Sequence, residues 1–112
     1  MPSYRLHVPL GALRPGVHPP DLLDQAALAL GSRHVVERAD VEAPLVHGRR
    51  VGRIVLRFLV EDGSSEEQDE QARTALAAVI EHLEVSGAEV APLDALLLTR
   101  GAHGRFTPIV RG

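Results

Sequence analysis

Residues 53–60, Arg-Ile-Val-Leu-Arg-Phe-Leu-Val, put an apolar side chain at every second position, and Tyr4-Arg5-Leu6-His7-Val8 repeats the pattern near the start of the chain. A period of two belongs to an extended strand with one buried face, not to a helix, so these two segments commit the chain to a sheet. With Leu6, Val8, Ile54, Leu56, Phe58 and Val60 turned to a core, Arg5, His7, Arg53 and Arg57 point the other way. If the strands are neighbours, those four side chains form a cationic patch on the solvent side of the sheet. Val55 and Leu59 share that side, which favours its coverage by another surface over full solvation.

The remaining elements follow from local signals. Residues 3–10 form the first strand, closed by Gly11 and Pro15-Gly16. Pro19-Pro20-Asp21 opens a helix, with Leu22, Leu23, Ala26, Ala27 and Leu30 as its apolar stripe and Gly31 as its stop. A second strand with broken alternation lies near 34–46, and Pro44 marks it as an edge strand or as its end. His47-Gly48-Arg49-Arg50 is a turn into the strong strand at 51–61. Ser64 with Glu67, or Ser65 with Gln68, has the spacing of a capping box. It precedes a helix whose apolar face is Ala72, Ala75, Leu76, Val79, Ile80 and Leu83. A last strand region runs through Val90 and from Leu93 to Thr99 with Pro92 interrupting it, and 106–110 offer a short extra strand.

The order is β-α-β-β-α-β, so the expected fold is α+β: a ferredoxin-like sandwich of about four antiparallel strands with two helices on one face. The 112 residues make one domain, 1–112, large enough for a single core. Only 3% of the residues are aromatic, so Leu, Val, Ala and Ile must fill that core, and a base-stacking platform is missing from the outward positions. The net charge of −3 argues against a nucleic-acid-binding polycation. No cysteine is present for a disulfide, a thiolate metal site or a thiol nucleophile. No charged-then-apolar leader opens the chain and no apolar run approaches membrane-spanning length, which points to a cytoplasmic protein without a membrane partner.

Few residues suggest chemistry. The Gly-basic turns 47–50 and 100–105 share His-Gly-Arg, yet neither is a phosphate-binding loop, and hairpin geometry accounts for their glycines. The histidines at 7, 18, 34, 47, 82 and 103 lack metal-ligand spacing, and no metal or other cofactor is expected. Glu66-Glu67 and Asp69-Glu70 read as a solvated helix face, and no nucleophile elbow exists, so no catalytic residue is assigned. The expected role is a non-catalytic assembly, adaptor or regulatory module, a homo-oligomer or one docked to a protein partner through Val55 and Leu59. The alternative is an enzyme or sensor that binds a small anionic ligand against Arg5, His7, Arg53 and Arg57.

Overall fold

The computed structural model describes residues 1–112. The outward-basic strands are β1 (Ser3–Leu10) and β5 (Gly52–Leu59), and they pair antiparallel with Arg5 opposite Arg57, His7 opposite Val55 and Pro9 opposite Arg53. Around them lie helix α1 (Pro19–Gly31), edge strand β2 (Val36–Glu42), a small hairpin of β3 (Leu45–Val46) and β4 (Arg49–Arg50), helix α2 (Ser65–Val85), and strands β6 (Leu97–Ala102) and β7 (Arg105–Arg111). The main sheet has the order β2-β5-β1-β6-β7, and every pairing in it is antiparallel. The protein is therefore α+β, with two helices and a five-stranded antiparallel sheet.

Helix placement follows from the alternation. Tyr4, Leu6 and Val8 of β1 and Ile54, Leu56 and Phe58 of β5 are fully buried. They form one cluster with Leu22, Ala26 and Leu30 of α1 and Ala72, Leu76, Val79 and Leu83 of α2. Both helices thus cover the same face of the sheet. The opposite face carries no second helix or sheet layer, but Leu93–Ala95 closes its Pro9–Arg53 end, where Arg53 donates to the Ala95 carbonyl and Pro9 is fully buried. The result is a slab with Cα extents of 42 × 31 × 19 Å. No helix is long and apolar enough to cross a membrane.

Helix α2 starts where the capping spacing places it. Ser64 Oγ accepts from the Glu67 amide at 3.1 Å, and Glu67 Oε1 accepts from the Ser64 amide at 3.1 Å. Those Ser64 bonds, the backbone one first, hold the Glu67 carboxyl below its ordinary range. Ser64→Ala is expected to lower stability by about 1 kcal/mol in urea denaturation, since one orphan amide loses its acceptor.

Several boundaries depart from expectation. The sheet has five strands instead of about four, because 105–111 form a full strand on β6 and not a short appendage. The second strand is shorter than 34–46: β2 ends at Glu42, and 45–50 make a separate hairpin. Leu93–Ala95 is a turn of 3-10 helix that delays the last strand to Leu97. In both His-Gly-Arg segments the His-Gly pair is a two-residue hairpin tip and the Arg begins the next strand. His47 and Gly48 have φ of 49° and 78°, and His103 and Gly104 have 52° and 77°. Positive φ at both central positions matches the right-handed twist of the flanking strands, which explains the recurrence.

Candidate functional site

The uncovered sheet face gathers all six residues singled out above. Register puts Arg5, His7, Arg53, Val55, Arg57 and Leu59 on one side of β1 and β5. Sequence reasoning missed what lies beside them. In β2, Arg38, Asp40 and Glu42 stand opposite Arg57, Val55 and Arg53 and so face the same way. A bulge between Val36 and Arg38 resets the alternation of that strand, which is why its pattern reads as broken in sequence.

The acids of β2 change the electrostatics from a cationic patch to a mixed ladder. Glu42 Oε1 accepts from Arg53 Nε at 2.6 Å and lies 3.3 Å from His7 Nδ1. Arg53 also donates through Nη1 to the Ala95 carbonyl at 3.1 Å, so its side chain is only 18% exposed. Arg38 Nε donates to Asp40 at 2.6 Å. Glu37, at the bulge, lies 3.3 Å from Arg57 Nε. Arg5 alone among these arginines has no carboxylate within ion-pair distance.

Burial lowers the His7 pKa; the bond to Glu42 raises it but does not prevail, and the Arg53 charge lowers it further. Neutral His7 is therefore the form the fold favours. Burial alone would raise the Glu42 pKa, but the hydrogen bonds from Arg53 and His7 outweigh it and hold the carboxylate ionised below its ordinary range.

An aromatic ring reaches this face from outside the two central strands, whose own outward positions carry none. Phe106 of β7 pairs with Gly101 of β6, and the Arg5 guanidinium carbon lies 4.1 Å from the ring centroid. The Arg57 guanidinium carbon lies 5.3 Å from the same centroid. Gly101 makes room for the ring: a Cβ there would sit 2.8 Å from Phe106 Cε2 and 3.0 Å from the Ser3 carbonyl oxygen. Gly101→Ala is expected to lower stability by about 1–2 kcal/mol through overpacking. It should also erase the ring-current shifts of Arg5 and Arg57 side-chain protons in NMR spectra.

A hollow of about 260 Å³ opens between β2, β5 and β1, walled by Arg5, Arg38 and Arg57 with Val55 at its floor. His7, Asp40 and Glu42 complete it. Leu59 lies outside the hollow, toward Met1 and Val35 at the other end of β5.

A second polar cluster, on the helix side, was also missed. Buried Tyr4 donates its hydroxyl to Asp69 Oδ1 at 2.5 Å, Arg100 Nη1 donates to the same oxygen at 3.4 Å, and Arg100 Nη2 donates to Gln68 Oε1 at 3.0 Å. Burial first, and Asp69 second, push the phenol pKa up, so it stays protonated. Asp69 thus leaves the solvated acidic face to which it was assigned and anchors α2 to the sheet. Elsewhere, His47 Nε2 meets Asp94 at 2.5 Å, and His82 Nε2 meets Gln25 at 3.0 Å. No three His, Asp or Glu side chains are grouped so as to hold a metal ion.

Comparison of the chain with protein families, with curated proteins and with solved structures finds no match.

Proposed function

We propose that this chain is a non-catalytic assembly module that pairs with a second copy of itself through the uncovered sheet face. The observation that carries the reading is that two helices cover one side of a five-stranded sheet, while half-buried Val55 stands at the centre of the other side. The strand order, with β1 and β5 adjacent in the interior and β2 at an edge, supports a ferredoxin-like sandwich extended by β7. Such a sheet leaves apolar Val55, Leu59 and Leu97 on that face among the arginines, with Phe106 beneath the Arg5 and Arg57 guanidinium groups.

Two features favour a copy of the chain as the occupant. First, the face holds both signs of charge in rows, acids mainly on β2 and arginines on β1 and β5, so a two-fold pairing can set one copy's acids against its mate's arginines. Second, five strands of up to eight residues span at most roughly 600 Å² per copy at ordinary strand spacing, so a matched pair comes to at most roughly 1,200 Å², the lower bound for a stable interface. Light scattering tests the reading: twice the chain mass at micromolar concentration, persisting in high salt, is expected. A chain-mass particle at all concentrations would end it.

A further inference from the structure

We propose that the hollow beside Val55 is a binding site for a small organic carboxylate, held by the Arg5 guanidinium against Phe106. The site lies on the face that pairing between copies would bury, so a bound carboxylate and a second copy exclude one another there. The site rests on the geometry of one chain alone.

The charge pattern is the first reason. Arg53 is committed to Glu42, Arg38 to Asp40, and Arg57 lies beside Glu37. Arg5 faces Arg57 directly across the β1–β5 pair and has no acid of its own. Like charges directly opposite on neighbouring strands repel, and an anion between them would turn that repulsion into attraction. The three arginines of the hollow exceed its two carboxylates by one, so a single negative charge balances it. That arithmetic favours a monocarboxylate over a doubly charged phosphate, which Asp40 and Glu42 would repel.

Donor geometry is the second reason. Arg57 Nε is buried and makes no hydrogen bond; Glu37 is close enough for an ion pair but its placement does not satisfy the N–H. Nε is too enclosed to reach a ligand itself, but the unmet bond shows that Glu37 leaves the guanidinium of a hollow-lining arginine incompletely satisfied. Stacking on Phe106 fixes the plane of the Arg5 guanidinium, and a fixed fork can take both oxygens of a carboxylate. A hollow of about 260 Å³ admits only a small ligand, whose apolar body would rest on Val55.

The test uses benzoate as probe, followed through the Arg Nε–Hε signals of the full chain, with inorganic phosphate and acetate as comparison arms. Saturable benzoate shifts at Arg5 and Arg57 are expected, with acetate weaker for want of a body and phosphate weaker for its second charge. Arg5→Gln should weaken benzoate at least tenfold, Phe106→Leu by a few-fold, and Arg49→Gln, on the distant hairpin, not at all. The proposal is overturned if the shifts do not saturate or if Arg5→Gln leaves the affinity unchanged. Phosphate binding as tight as benzoate at the same signals would also overturn it, since the site would then read charge alone.

Discussion

Glu42→Ala is expected to cost about 2 kcal/mol at pH 7, because the carboxylate holds two largely buried partners at once. Arg53 would keep only the Ala95 carbonyl, and the His7 ring, 10% exposed, would lose its one side-chain partner. Glu42 itself is 41% exposed, so water replaces part of what it supplies, and the loss falls short of that for a fully enclosed ion pair.

The pH dependence separates the partners. A histidine whose folded pKa lies below its ordinary 6.5 resists a proton that the unfolded chain accepts, so stability falls as pH drops from about 6.5 toward the folded value. His7→Gln removes that loss, and its urea midpoint should change less between pH 7 and pH 5 than that of the parent. Glu42 works lower: its contribution is complete above its ordinary 4.5 and disappears as pH falls through its depressed folded value. The gap between the parent and Glu42→Ala should therefore be widest near neutrality and close in acid. A gap that stayed constant down to pH 3 would mean the carboxylate does not act through its charge.

Val55→Glu is expected to abolish pairing between copies. Val55 lies between His7 and Asp40 in the register of β1, β5 and β2, and a two-fold pairing over the face buries it at the contact. An unpaired carboxylate forced there costs several kcal/mol, so the dissociation constant should rise by about a hundredfold or more. The fold should tolerate the change, because Val55 is only partly buried in a single chain and Arg5 and Arg57 line the same hollow. Leu59→Glu, at the strand end, should weaken pairing less. Unchanged circular dichroism together with a halved mass is the expected result; an unchanged mass would remove the face from the assembly account.

What could be read from sequence tracks how local each signal is. The β1 and β5 alternation and the Ser64 capping box are contained within a few residues, and the buried and outward sets follow directly from them. The β2 acids escaped because simple alternation from core-facing Val36 would send Asp40 and Glu42 to the helix side, and one bulged residue turns them instead to the side of Val55 and Arg53. Phe106 escaped for a different reason. Its place over Arg5 depends on β7 adding to β6 at one particular register and on Gly101 offering no side chain, neither of which a Pro-containing seven-residue stretch announces. Asp69 looks like any helix-surface acid until the chain brings Tyr4, 65 positions away, beneath it. Residue types on the central strands were thus legible, while their ion partners, which decide how much charge the face presents, depended on long-range register.

The most direct measurement of the central claim is an isotope-filtered NOE spectrum on a mixture of labelled and unlabelled chain. Face-to-face pairing predicts intermolecular contacts from the Val55 methyl groups and the Phe106 ring to protons of β1 and β5 of the other copy. An absence of intermolecular contacts at millimolar concentration, or contacts confined to the helices or the β2 edge, would contradict it.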